Sequence, residues 1–363
     1  MALQLGIVGL PNAGKSTLFA ALTRMRVDTA IYPFTTIDPN VGVVPVPDPR
    51  LDVIAGITKP KRVVPATVQF VDIAGLVRGA HRGEGLGNQF LAHIRDVDAI
   101  VHVVRCFPIG DIPHVMGEVD PIRDIAVVNT ELALADLAWV ERAKERALSR
   151  VKAQDRKAGE EVALFERLLD ALDKGVPVRA LELTQEARKI VEGLRLLTAK
   201  PVVYVANVDE EGLAGSPWAA EVHRLARQEG AQAVTICAKL EAELIDLPEG
   251  EARQFLKELG IEEAGLTRLV QVGYGLLDLI TFFTTASQEV RAWPVPRGTL
   301  APQAAGKIHS DMEKGFIRAE VVRFEDLVAA GSLERAREHG LIHLVGKDYV
   351  VQDGDIIYFR FAV

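Results

Sequence analysis

The eight residues Gly9-Leu-Pro-Asn-Ala-Gly-Lys-Ser16 constrain what this chain can fold into more than any other stretch. A glycine-rich loop ending in Lys-Ser has physical meaning only between a buried strand and a helix N-terminus, where its backbone N–H groups face an anion. The flanks have that form. Leu3-Gln-Leu-Gly-Ile-Val8 is a short apolar run suited to the inside of a parallel sheet, and the run from Ser16 to Met25 carries Leu18, Phe19 and Leu22 at helical core spacing. The N–H groups of Asn12, Ala13, Gly14, Lys15, Ser16 and Thr17 are expected to cradle phosphates, with Lys15 reaching the β- and γ-phosphates and the Ser16 hydroxyl ligating Mg²⁺.

Further strand-like runs follow at Thr67–Ile73, Ala99–Val104, Pro201–Ala206 and Ala233–Cys237, with helical patterns between them. This alternation predicts an α/β fold of the P-loop NTPase kind, a doubly wound, mainly parallel sheet covered on both faces. Ligand groups in such a fold gather at the carboxyl ends of the strands, where Gly9, Asp72, Asn207 and Ala238 fall. Asp72-Ile-Ala-Gly75 supplies a carboxylate for Mg²⁺ and a backbone N–H for the γ-phosphate. Thr36, or alternatively Thr35, is expected to complete the metal shell from the loop Ile31–Asn40, and the glycine-rich stretch 79–87 is expected to switch shape.

Asn207-Val-Asp-Glu210 stands where a GTPase would carry Asn-Lys-x-Asp. Asn207 can serve N7, which adenine shares with guanine. Glu210 is one methylene too long to accept from both guanine N1–H and the 2-amino group, and Val208 cannot make the lysine's contacts to the phosphate loop. Unpaired donors weigh heavily in specificity, so ATP is the expected nucleotide, with relaxed use of ATP and GTP as the alternative. Ala238-Lys239 occupies the position of a loop backing the base, and Cys237 beside it reads as a small buried hydrophobe.

The hydrolytic group is less plainly written. Leu76 follows Gly75 where many such enzymes place a water-orienting glutamine, so turnover is expected to be slow unless another group serves. His114, in the loop after the strand ending at Arg105, is a candidate general base, with a purely structural histidine as the alternative.

Residues 130–199 break the α/β rhythm. A helix from Asn129, a break at Ala158-Gly159 and a second helix from Glu160 to Leu172 predict an inserted helical hairpin. Its residues 142–157 hold Arg142, Lys144, Arg146, Arg150, Lys152, Arg156 and Lys157 against Glu145 and Asp155, which suits RNA phosphate, an acidic partner or merely a solvated face. The whole chain is acidic, with 42 basic and 50 acidic residues and a net charge of −8, so a generic polyanion binder is excluded and no DNA partner is expected. With two cysteines, no apolar run of membrane-spanning length and no secretory leader, the chain reads as cytosolic; a monomer is the expected form, although nothing in the residues fixes the oligomeric state. Residues 279–363 contain short β-like runs at Glu289–Trp293, Ile317–Val322, Tyr349–Val351 and Ile356–Phe361.

Asn12–Phe19, Tyr32–Asn40, Asp72–Ala80 and Gly83–Asn88 together resemble the Obg-related P-loop NTPases. Asn207–Glu210 and the run Ala304–Arg318 resemble the YchF branch, whose eukaryotic members are called Obg-like ATPases. The resemblance spans essentially the whole chain. It implies an ATP preference, a ribosomal or ribosomal-RNA partner, and a C-terminal TGS-like β-grasp domain. It also implies that Asn12 helps to hold a monovalent cation such as K⁺ beside the phosphates. The expected domains are residues 1–129 plus 200–278, the hairpin 130–199 and the TGS-like module 279–363. The other reading, a phosphotransferase acting on a small acceptor, finds no acceptor pocket in the sequence and leaves the last module unexplained.

Overall fold

The computed structural model describes residues 3–25, 40–73, 87–108, 110, 113–152, 155–286 and 288–362. Thr35, Thr36, Gly75, Leu76 and most of the expected switch at 79–87 lie outside the described residues. Two compact units result, one drawn from residues 3–25, 40–42 and 69–269, the other from 43–68 and 270–362.

In chain order the elements are β1 (Gln4–Val8), α1 (Lys15–Arg24), β2 (Val41–Pro45), α2 (Pro49–Thr58), β3 (Arg62–Val64), β4 (Thr67–Asp72), α3 (Gly87–Asp96) and β5 (Ala99–Arg105). They continue with α4 (Pro121–Lys152), α5 (Arg156–Asp173), α6 (Gln185–Leu194), β6 (Val202–Asn207), α7 (Pro217–Gln228), β7 (Gln232–Ile236), α8 (Ala238–Leu244), α9 (Glu249–Glu258) and α10 (Gly265–Leu276). The last are β8 (Leu279–Thr284), β9 (Glu289–Pro296), α11 (Ala301–Ile308), α12 (Ser310–Lys314), β10 (Phe316–Val322), α13 (Phe324–Ala330), α14 (Leu333–Glu338), β11 (His343–Val345) and β12 (Ile356–Phe361).

The first sheet has the order β2-β4-β1-β5-β6-β7, and β1 pairs in parallel with both β4 and β5. β5 and β6 are buried at every position, which is why they read as unbroken apolar runs rather than alternating ones. One face packs Val8, Ile100, Val104 and Ala206 against Ile94 of α3, Val128 of α4 and Val222 of α7. His102 of β5 is part of this core: burial depresses its imidazole to about 3, so it stays neutral beside the Tyr204 ring.

The hairpin is present with different bounds. α4 starts at Pro121 because Asp120 caps it, its carboxylate accepting the Arg123 N–H at 3.0 Å with proline at the first helical position. The turn falls at Asp155, which caps α5 by accepting from the Lys157 N–H, and Ala158 lies fully buried inside α5. The expected break at Ala158-Gly159 is therefore replaced by an aspartate cap three residues earlier. Val140, Ala143 and Ala147 of α4 pack on Phe165, Leu168 and Leu172 of α5. Asp136, fully buried in the middle of α4, pins that helix: its carboxylate accepts from the Leu197 N–H, the Thr198 N–H and the Thr198 hydroxyl at 2.8–3.0 Å.

The second unit carries a mixed sheet of order β11-β10-β12-β8-β9-β3, with β8 and β9 an antiparallel hairpin and β12 parallel to β8. Ala301, Ala304 and Ala305 of α11 pack on Ile280, Phe282 and Phe359, the helix-on-sheet arrangement of a β-grasp. Two sequence expectations change here. Tyr349–Val351 forms no strand, only a bridge from Val350 to Leu300, and residues 43–68 group with the C-terminal segment instead of the nucleotide domain. The reason for the second is β3, which pairs in parallel with β9 (Val63 opposite Val290), while Arg50 is clasped by Asp48 and Asp353 at 2.8 Å each. Among the described residues no helix is long and apolar enough to cross a membrane.

Candidate functional site

β1 ends in the middle of its sheet, and the chain must turn sharply to begin α1. Three residues of the turn take positive φ: Gly9 at 151°, Asn12 at 64° and Gly14 at 96°. At Gly14 no larger residue fits, because a Cβ would lie 2.1 Å from Nδ2 of Asn207. At the helix start Lys15 is buried while Ser16 and Thr17 are exposed.

The Lys15 ammonium donates to the Leu10 carbonyl at 2.8 Å, and the Ala13 N–H shares that carbonyl at 3.4 Å. Burial lowers the Lys15 pKa, and the Asp72 carboxylate at the end of β4 partly restores it. Asp72 responds in the mirror sense, raised by burial and lowered by Lys15. The pair thus keeps a cation and an anion partly desolvated within electrostatic reach of one another, at the mouth of the loop.

On the other side, Asn207 ends β6 with 5 % exposure. Its Nδ2 donates to the Ala13 carbonyl at 2.9 Å, and its Oδ1 accepts the Ala238 N–H at 3.0 Å. One side chain therefore ties the phosphate loop to the loop that opens α8. Val208 is buried in the core under this edge, in the cluster that includes Leu10, Cys237 and Leu240. Glu210 is exposed and ion-paired with Lys239 at 3.3 Å, a partnership that sequence spacing alone did not reveal.

Asn12 and His114 meet through Pro113. The Asn12 Nδ2 donates to the Pro113 carbonyl at 3.1 Å, and the Arg105 guanidinium donates to the same carbonyl at 3.4 Å and to that of Pro108 at 3.0 Å. His114 does not present a free nitrogen. Its side chain is 2 % exposed, Nε2 lies 2.7 Å from the Asp124 carboxylate, and Nδ1 accepts the Met116 N–H at 3.0 Å. These partners place the proton on Nε2. The expected general base is therefore closed off in this arrangement, and acting on water requires its loop to open. Arg105 and Asp124 were missed as part of this neighbourhood; the Asp120-Pro121 helix start was the legible signal that α4 begins here.

A strand, glycine loop and helix, with the loop's lysine near a strand-end carboxylate and an asparagine bracing the loop from two strands away, define a P-loop nucleoside-triphosphate site. Comparison with known proteins narrows the class. A model described as a 50S ribosome-binding GTPase matches residues 4–132, and the YchF-GTPase C-terminal model, described as a protein of unknown function, matches residues 279–362. Proteins called "Ribosome-binding ATPase YchF" are similar over the whole of both chains: 51% identical in Pasteurella multocida, 52% in Haemophilus influenzae and 51% in Bacillus subtilis. The solved YchF GTPase of Schizosaccharomyces pombe is 37% identical, with a TM-score of 0.90 over 99% of this chain and 98% of that one. A GTP binding protein of Pyrococcus horikoshii, 20% identical with a TM-score of 0.63 over 99% of this chain and all of its own, shares the fold. The chain belongs to the YchF family of P-loop NTPases.

Proposed function

We propose that this protein binds ATP, hydrolyses it slowly, and uses its nucleotide state to set its affinity for the ribosome, as a cytoplasmic monomer. The observation that carries the nucleotide choice is the base side of the site. Asn207 retains one amide hydrogen for N7, whereas Glu210, which stands at the position of the guanine-reading aspartate, is one methylene longer and ion-paired with Lys239. The relatives' names differ on this point, ATPase in the bacterial proteins and GTPase in the fission yeast structure, so the choice rests on these side chains.

On nucleotide binding, the Lys15 ammonium exchanges the Leu10 carbonyl for β- and γ-phosphate oxygens, and loop N–H groups from Asn12 to Thr17 meet the phosphates. Ser16 and Asp72 would hold Mg²⁺, with Thr36 as the further ligand; a hydroxyl and one carboxylate, completed by phosphate and water, suit that ion. When bound, Mg²⁺ neutralises charge on the β- and γ-phosphates. The Gly75 N–H would meet the γ-phosphate. The Asn12 Oδ1 remains the group to which K⁺ would turn, since its Nδ2 is spent on Pro113. In hydrolysis the water oxygen bonds to the γ-phosphorus as the bond to the bridging oxygen breaks, and we assign the orientation of that water to His114 once its loop has opened.

The ribosomal reading draws on the names of the bacterial relatives and on the basic hairpin. That face is partly self-neutralised: Lys144 pairs with Glu166 at 2.8 Å, and Arg150 pairs with Glu161. Contacts to phosphate therefore come at the expense of weak exposed pairs. Reversing Arg146, Arg150 and Lys152 to Glu is expected to weaken co-sedimentation with ribosomes at least about tenfold at moderate salt while leaving ATP binding unchanged, and wild-type binding is expected to fall steeply as salt rises. Equal sedimentation of wild type and the triple variant would return the hairpin to a solvated face.

A further inference from the structure

Asp124 sits in the first turn of α4, is 4 % exposed, and is fixed there by the helix it belongs to. Its Oδ2 holds the proton-bearing Nε2 of His114 at 2.7 Å while its Oδ1 takes the Arg123 guanidinium at 3.3 Å. The residue before His114 is the one whose carbonyl receives Asn12 of the phosphate loop and Arg105 of β5. A continuous set of polar contacts therefore runs from the phosphate loop through Pro113 and His114 to the start of α4. The far end of the same helix is the basic tip. At about 1.5 Å per residue, α4 carries Asp124 about 18 Å from the Asp136 pin, and Arg150 about 21 Å beyond the pin on the other side.

We infer that Asp124 is a positioning residue that holds His114 in a closed, unreactive arrangement, and that α4 is the lever through which a partner on the hairpin releases it. This rests on the reading that His114 orients water and that the ribosome meets the hairpin. The chemistry favours restraint over activation. An aspartate that activates a histidine binds one nitrogen and leaves the other free, whereas here Met116 occupies the second nitrogen. Asp124 is anchored and buried, so a ring that swings out to reach water must part from it. Among the described residues the buried Nε of Arg123 has no acceptor, so the closed state leaves one polar group unsatisfied. Carboxylate–imidazole contacts of this kind are strong enough to suppress the open form on the order of tenfold or more.

The test measures steady-state ATP turnover of wild type, Asp124→Ala, Asp124→Asn, His114→Ala and the double variant, with and without ribosomes. Asp124→Ala is expected to raise basal kcat about tenfold with KM for ATP within about twofold, and to lose most of the ribosomal stimulation. Asp124→Asn, which keeps an acceptor but not the charge, should lie between it and wild type and serves if the alanine variant fails to fold. The double variant should fall to the level of His114→Ala. A folded Asp124→Asn or Asp124→Ala protein whose kcat is unchanged or lower overturns the restraint, as does a rise that persists without His114. Wild-type turnover indifferent to ribosomes removes the partner reading instead, and the basal rates of the variants still decide the role of Asp124.

Discussion

Replacing Lys15 with alanine is expected to weaken ATP binding by at least about 100-fold, since an ammonium facing two phosphates contributes charge-assisted bonds of roughly 1.5–3 kcal/mol each. The same substitution should not lower the melting temperature of the nucleotide-free protein. Burial already depresses the Lys15 pKa, so the folded state carries a partly desolvated charge that donates to the Leu10 carbonyl. A function-specific residue of this kind costs stability and is kept for its ligand. Calorimetric titration and a thermal melt separate the two effects. Binding within about threefold of wild type would remove Lys15 from the phosphate site.

Gly14→Ala is the second large effect, and it acts through a different residue. The position has φ of 96°, and the added methyl would lie 2.1 Å from Nδ2 of Asn207 and 3.3 Å from its Cγ. The left-handed backbone alone costs about 1–2 kcal/mol for a residue with a Cβ. To make room, Asn207 must give up the Ala13 carbonyl and the Ala238 N–H, two buried hydrogen bonds whose loss costs about 1–3 kcal/mol each. Because Asn207 braces both the phosphate loop and the base loop, ATP and GTP should be lost together, along with several degrees of melting temperature. A Gly14→Ala protein that keeps its melting point and binds ATP normally would show that Asn207 does not brace the two loops.

The parts of this site that lie in single short segments were legible in the sequence. Gly9 to Ser16, Asp72, Asn207 and Ala238 each announce themselves by a strand end followed by polar or small residues, and the parallel sheet brings them to one edge. What escaped was pairing between segments. Nothing near Glu210 in the chain foretells Lys239, and nothing near residues 62–64 foretells a partner strand at 289–291. Apolar periodicity also misled where a cap decides: Ala158-Gly159 looks like a break, but Asp155 supplies the N-cap and glycine is tolerated just inside. His114 shows the same limit at the level of chemistry. A loop histidine near a phosphate loop invites a general-base reading, and only the structure reveals Asp124 and Met116 at its two nitrogens.

Everything proposed about this protein's cycle depends on which base the pocket accepts. The most direct measurement is a calorimetric titration of the wild-type protein with ATP and with GTP in the same Mg²⁺ buffer. Where a guanine-reading aspartate would accept from N1–H and the 2-amino group stands Glu210, one methylene longer and ion-paired with Lys239, whereas adenine brings no such donors to that edge. ATP should therefore bind tighter than GTP by about tenfold or more. GTP binding as tightly as ATP, or more tightly, would contradict the account.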